Sequence, residues 1–282
     1  MTEQIALLHP GEMGVTVGTC LLTSGTNVAW VPHDRSEATR RRANHAGFTA
    51  YDSLEKLLKE CTVVISVCPP AAAVSTAVKV AATDFNGVYV DANAVSPNTA
   101  TRISAIVEAT GASYVDGSLI GPPAYRHGTT RLYLSGVKVR EILELFLGSA
   151  IEAIDIGESL TAASALKMCY AAWTKGSSAL LISIGALAKA ANVDKALHTE
   201  WNRSIPDLNS RLENASNRNS VKAWRFEGEM REIADTFKAH GLTDGFFHAA
   251  AQTYGLLSKY KDTNQTPELD DVLHALLSFE DN

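Results

Sequence analysis

Residues 5–14 read IALLHPGEMG, an apolar strand that passes through Gly11 and Gly14 into the start of a helix. In turns of the G-x-G-x-x-G kind, glycines let the backbone approach a pyrophosphate and let the helix pack close to the strand. The helix N-terminus adds free N–H groups and positive potential. His9 stands at the first glycine position, so the tight turn must be made by a residue with a side chain, followed by Pro10. With the fingerprint incomplete, the segment reads either as a cofactor turn or as an ordinary strand–turn–helix.

Outward from this turn, short apolar runs at 4–9, 27–31, 62–68, 87–92, 112–117, 131–136 and 150–157 alternate with helical patterns at 12–23, 36–46, 53–59, 71–82, 97–109 and 138–147. Continuous Val and Ile runs suit strands covered on both faces. This half is therefore expected to be α/β, a doubly wound, mostly parallel Rossmann sheet. After residue 158 the strand signals stop, which divides the chain into an α/β domain over 1–157 and an all-helical domain over 158–282. No proline interrupts Ser159 to Val193, so one long helix is expected to join the two. Pro206 and Pro267 suit first helical turns, with Ser204 and Thr266 upstream as caps.

Of 282 residues, 46% are apolar and 20% charged, the profile of a soluble globular protein with material for a sizeable core. A formal charge of −6 argues against nucleic-acid or anionic-membrane partners. Cys20, Cys61, Cys68 and Cys169 fall at no metal spacing and in no disulfide framework. They read as buried thiols in a reducing compartment, with the cytoplasm as default. Met1 to Gln4 lack a basic leader, and Lys167, Lys175 and Lys189 interrupt the one long apolar segment, so no membrane span is expected. No His, Cys and acid grouping has metal-ligand spacing, and no metal is expected.

The second strand, NVAWV (27–31), leads into PHDRSEATRRRA (32–43). Asp34, twenty residues past Gly14, is spaced to accept from a ribose 2′-hydroxyl. Beside it Arg35, Ser36 and Arg40 form a set suited to a 2′-phosphate, which favours NADP over NAD; the plainer reading is a basic, solvated helix start. In the long helix, ALKMCYAAWTKG (165–176) puts Lys167 among alanines and Leu166. Such a lysine either snorkels to water or sits in a cleft where desolvation lowers its pKa.

Five segments in order, HPGEMG (9–14), VVISVCPP (63–70), VDANAVSPNT (90–99), VDGSLIGPP (115–123) and the helix of Lys167, resemble the β-hydroxyacid dehydrogenases, short relatives of 6-phosphogluconate dehydrogenase. KMCYAAWTKG (167–176), KAWRFEGEM (222–230) and GLTDGFFHAAAQTYG (241–255) are similar to the subgroup whose C-terminal domain is of unknown function. The resemblance covers essentially the whole chain and implies a Rossmann domain, a helical domain that pairs two subunits into a homodimer, and a catalytic lysine matched by Lys167. It implies cofactor contacts at His9, Gly11, Glu12, Met13 and Gly14, with Val67, Cys68 and Pro69 under the nicotinamide ribose. Asn93, Ser96 and Pro97 would face nicotinamide and substrate, and Ser118, Ile120, Gly121 and Pro122 match the substrate loop, Ile120 and Pro122 as departures.

Other positions depart too. Glu158, Thr161 and Ala163 replace helix glycines, Ala171 replaces the asparagine one turn after the lysine, and Gly228, followed by Glu229, replaces a second lysine. Tyr170 and Thr174, one and two turns beyond Lys167, are candidates for the missing amide's work. Glu229 with Arg225 and Arg231 reads as a helix ion-pair set. The expected activity is hydride transfer between NADP and a small hydroxy or carbonyl substrate, with Lys167 as general acid/base and Asn93, Ser118 and Tyr170 positioning the oxygen. Imine reduction in the same fold and a non-catalytic NADP-binding protein are the alternatives.

Overall fold

The computed structural model describes residues 4–261, 263 and 266–278. It divides into two compact units, the first ending at Met168 and the second beginning at Cys169. In the first unit eight strands form one sheet: β1 (Gln4–Leu8), β2 (Asn27–Trp30), β3 (Thr49–Ala50), β4 (Val63–Ser66), β5 (Val88–Asp91), β6 (Ser113–Ile120), β7 (Thr130–Ser135) and β8 (Ile151–Asp155). Their order is β3-β2-β1-β4-β5-β6-β7-β8. Helices α1 (Glu12–Thr23), α2 (Glu37–His45), α3 (Leu54–Leu58), α4 (Pro70–Ala81), α5 (Pro97–Glu108) and α6 (Val139–Glu144) connect them.

Strand alternation feeds two apolar layers. Ile5, Leu7, Val28, Trp30, Val63, Ile65, Val88 and Val90 pack with Val17 and Leu21 of α1 and Ile142 of α6. Ala6, Leu8, Ala29, Val64 and Tyr89 pack on the other face with Ala73, Ala77 and Val80 of α4 and Ile103 and Val107 of α5. A sheet covered on both faces explains why the strands read as continuous Val and Ile runs. The order reverses between β1 and β4, and in such sheets the crevice beyond the carboxyl ends at this point is where ligands bind.

The β6–β7 pair is antiparallel while the other pairs are parallel. The connection over 121–129 holds no crossover helix, so the chain can only turn back. β6 also runs through Ser118 and Ile120, which the sequence reading assigns to a loop. The two-residue β3 was not anticipated; it is too short to leave a pattern.

The helical region that begins at the end of the first unit and continues into the second is not one uninterrupted α-helix. α7 (Ala162–Ala171) gives way to a π turn over Ala172–Gly176 before α8 (Ser177–Ala190). Five further helices follow: α9 (Asp194–Ser204), α10 (Leu208–Ser220), α11 (Ala223–Ala239), α12 (Gly245–Leu257) and α13 (Leu269–Leu277). α11 packs along α12, and α8 packs against α10, α12 and α13. The proline expectations are corrected: Pro206 and Pro267 precede α10 and α13 instead of sitting in their first turns, with Asp207 and Glu268 at the cap positions. Ser204 belongs to α9, where its hydroxyl donates to the Glu200 carbonyl. Among the described residues no helix is long and apolar enough to cross a membrane.

Candidate active site

The strand-to-helix turn is built as its sequence requires. His9 takes a left-handed φ of 69°, and the Gly11 N–H donates to the His9 carbonyl at 2.7 Å. Gly14 allows the helix to sit against this turn, because a Cβ there would lie 2.5 Å from the His9 oxygen. At Gly11 a Cβ would meet nothing within 4 Å, so the face of the turn is open. Gly11 also caps α1 without any side-chain hydrogen bond, which leaves first-turn N–H groups for an anion.

Beside the turn lies a cavity of about 400 Å³ lined by Leu8, His9, Val31, Arg35, Thr76 and Lys79 among others. It abuts the carboxyl ends of β1 and β2, and the buried Nδ1 of His9 has no hydrogen-bond partner. An open turn, an uncapped helix start, cationic side chains and an orphaned imidazole nitrogen fit an adenine dinucleotide. Ser36 and Arg40 are not in this lining; Ser36 instead caps α2, accepting from the Thr39 N–H, and Arg40 is exposed. Asp34 is exposed and bonded to the His33 ring at 3.0 Å. Lys79, absent from the sequence reading, contributes from α4; its only signal was an i, i+3 spacing with Thr76 after the β4 turn.

A second feature crosses the sheet. Register places Leu8, Ser66, Asp91, Asp116 and Ser135 side by side on β1, β4, β5, β6 and β7, making four polar residues in one buried row level with the carboxyl ends of β1, β4 and β5. Asn93, just beyond β5, is fastened into this row. Its Oδ1 accepts from the Cys68 N–H at 2.5 Å, its Nδ2 donates to Ser66 Oγ at 3.1 Å, and its own N–H donates to Asp91 Oδ1. Asn93 thus sets the shape of the Val67–Pro69 turn. Burial raises the Cys68 thiol to about 11, so it is neutral.

Asp116 holds the start of α7. Its carboxylate accepts from the Ser164 N–H at 2.7 Å and the Ser164 hydroxyl at 2.6 Å, while Ser135 Oγ accepts from the Ala163 N–H at 3.1 Å. Burial pushes the Asp116 carboxyl up to about 6 despite these donors. One turn on, Lys167 donates from Nζ to the Leu119 carbonyl at 2.7 Å. Desolvation lowers its amine to about 8. The neighbouring Ser118 is fully buried, shares a strand face with Asp116, and its hydroxyl has no partner. Lys167 and the Ser118–Leu119 segment are therefore together, and Asp116 was not anticipated. An aspartate closing an otherwise apolar run of sequence, as in VYVD and SYVD, was the available signal.

The remaining expected positions do varied work. Ser96 caps α5, accepting from the Thr99 N–H at 3.2 Å, with Pro97 in the first turn. Gly121 has φ 127°, and a Cβ there would lie 2.2 Å from the Thr129 oxygen, so only glycine closes this hairpin. The Pro122 carbonyl accepts from the Thr130 hydroxyl at 2.6 Å. Glu12 and Pro69 are exposed, and Met13 packs partly into the core. Tyr170 is 46% exposed. Thr174 donates to the Tyr170 carbonyl and lies inside the π turn, where the α periodicity behind its assignment does not hold.

The Glu229 expectation is corrected. Its carboxylate pairs with Lys175 of the π turn, both largely buried, while Arg231 pairs with Glu227 at 2.9 Å. Lys175 also lies over the Phe226 ring, and its carbonyl accepts from the buried Tyr254 hydroxyl at 2.8 Å. Among the described residues no group of His, Cys, Asp or Glu is placed to hold a metal.

A family model described as the NAD binding domain of 6-phosphogluconate dehydrogenase matches residues 4–138, and one described as a domain of unknown function, DUF1932, matches 188–257. An uncharacterized 28.5 kDa protein encoded in the 7S RNA 5′ region of Methanothermus fervidus is 32% identical over 215 residues, 74% of this chain and 80% of that protein. Among solved structures, a conserved protein of unknown function, described as structurally similar to 3-hydroxyacid dehydrogenases, is 26% identical with a TM-score of 0.65, covering 91% of this chain and 97% of that one. A 3-hydroxyisobutyrate dehydrogenase of Mycobacterium tuberculosis, solved with L-serine, is 19% identical with a TM-score of 0.69, covering 98% of this chain and 99% of that one. A reductive aminase of Aspergillus terreus, solved with NADPH4, cyclohexanone and allyl amine, is 14% identical with a TM-score of 0.57, covering 99% and 100%. The last two share the fold. With one model over the sheet, the other over the helices, and a relative matched along most of both chains, the protein belongs to the 6-phosphogluconate dehydrogenase-like family that joins an NAD(P)-binding domain to this C-terminal domain.

Proposed function

We propose that this chain is an NADP-dependent oxidoreductase acting on a small hydroxy or carbonyl substrate, with residues 1–157 binding the cofactor and 158–282 supplying substrate and dimer contacts. The observation that carries the reading is the desolvated amine of Lys167, lowered to about 8 and hydrogen-bonded to the carbonyl of Leu119 at the end of β6. A bound nicotinamide supplies or accepts hydride at the substrate carbon. Lys167 handles the proton at the substrate oxygen: near pH 7 it is mostly protonated and donates, and above about pH 8 it is neutral and accepts. Ser118, fully buried next to Leu119, backs the segment that holds Lys167, and Asn93 keeps the turn beneath the nicotinamide in shape. Gly11, Met13 and Gly14 form the pyrophosphate turn, and Arg35 is the phosphate-binding arginine that favours NADP.

A panel of ketones, aldehydes, hydroxy acids and cyclic imines assayed with NADPH or NADP tests this reading. Turnover of a carbonyl/hydroxyl pair supports it, turnover of imines alone replaces it with imine reduction, and no turnover of any member counts for a binding protein. We also infer a homodimer through the helical unit. Leu180 and Leu187, seven residues apart on α8, and Trp173 in the preceding π turn are 47%, 67% and 68% exposed, apolar surface suited to a second subunit.

A further inference from the structure

The cavity beside the cofactor turn brings three basic side chains from three parts of the chain to one wall: His9 from the end of β1, Arg35 from the loop after β2, and Lys79 from α4. The other charged or titratable groups lining it are His33, Asp34 and Asp52. Both acids already have cationic or imidazole partners, Asp34 with His33 at 3.0 Å and Asp52 with Lys56 at 3.0 Å. Arg35 and Lys79 form no ion pair among the described residues. His9 is held in a left-handed conformation at a position where glycine would cost nothing, and its Nδ1 is buried without a partner. A strained backbone and an orphaned buried nitrogen both carry a free-energy cost, and the ligand-facing wall of a binding cavity is where such costs are offset.

Resting on the NADP reading above, we propose that His9, Arg35 and Lys79 form the seat of the cofactor's 2′-phosphate, and that His9 takes a proton from solvent as the phosphate arrives. The free protein holds His9 neutral. Burial first, then the charges of Arg35 and of Lys79, lower its pKa to about 4, with the Leu8 carbonyl pulling the other way. A phosphate monoester with a second pKa of about 6 is largely dianionic at pH 7.5. Placed among the three side chains, it reverses the field on the imidazole and makes the ring a charge-assisted donor. NAD shares the pyrophosphate but brings no 2′-phosphate, so its binding shifts His9 less. Discrimination between the cofactors then includes a protonation step as well as two fixed cations.

Isothermal titration calorimetry of the intact protein at pH 7.5, in buffers of low and high ionisation enthalpy, reads proton uptake directly. The expected result is uptake of a large fraction of a proton per NADP⁺ and a clearly smaller fraction per NAD⁺. Asparagine tolerates left-handed backbone but cannot be protonated. His9→Asn should therefore abolish the NADP⁺-specific uptake and raise Kd for NADP⁺ about tenfold more than it raises Kd for NAD⁺, the loss of one charge-assisted hydrogen bond. Tighter NADP⁺ binding without proton uptake in the wild-type protein overturns the His9 proposal, as does an equal loss for both cofactors in the variant. Equal or tighter wild-type binding of NAD⁺ overturns the NADP reading itself. The wild-type measurement decides the matter even if the variant fails to fold.

Discussion

Lys167 can work in both directions because desolvation brings its pKa to about 8, close to working pH. The sign of the pH dependence follows. Protonated lysine is the form needed for reduction, so the reductive kcat should fall as pH rises through about 8, and the oxidative kcat should rise through the same region. Matched pH profiles in the two directions check this, and profiles flat from pH 7 to 9 would remove the amine from the proton path. Lys167 was legible because a cation among alanines and Leu166 has few places to go. His9 was legible as a misfit in the glycine turn. Lys79 was not, since one lysine on a helix that also exposes Val78 and Ser75 looks like solvated surface until the fold puts that face against a cavity. Ser36 and Arg40 were read as phosphate ligands from proximity in sequence, but neither lines the cavity: Ser36 caps α2 and Arg40 is exposed on it.

At the level of elements, the start of α7 is tied to β6 and β7 by Asp116 and Ser135, one turn before the lysine it presents. Asp116→Asn replaces one carboxylate acceptor by a donor facing donors, and should destabilise the protein by about 1–3 kcal/mol, seen as a lower urea midpoint. An unchanged midpoint would show that the tie contributes nothing. The wild-type carboxyl also has a pH signature. Its folded-state pKa of about 6 lies above the unfolded value of about 4, so its contribution to stability is full below about pH 4 and is lost as pH rises through about 6. The asparagine variant should lack that slope. Strands and helices of the sheet unit were readable because burial on both faces leaves continuous apolar runs and their covering helices leave periodic ones. The π turn at Ala172–Gly176 was not readable: it contains no proline to mark a break, and it accompanies the Lys175–Glu229 pair and the Tyr254 hydroxyl bond, which are tertiary contacts. Likewise Pro206 and Pro267 marked helix starts correctly in kind but two residues early, because Asp207 and Glu268 were free to take the cap positions.

For the whole molecule, alternation of strand and helix followed by helices alone separated the sheet from the helical bundle, and the order of five short segments carried the family. The antiparallel return of β7 needed the three-dimensional hairpin around Gly121. The apolar surface of Trp173, Leu180 and Leu187 leads to a light-scattering mass near twice the chain's 30.2 kDa, and a mass near the chain value would contradict a dimer. The account rests above all on Lys167 as the proton-transferring group. Its most direct test is Lys167→Met, assayed for kcat on whichever substrate the panel identifies and titrated with NADPH by quenching of tryptophan fluorescence. The account predicts a fall in kcat of about 10²–10⁴ with cofactor affinity unchanged; near-normal turnover in a variant that still binds NADPH would contradict it.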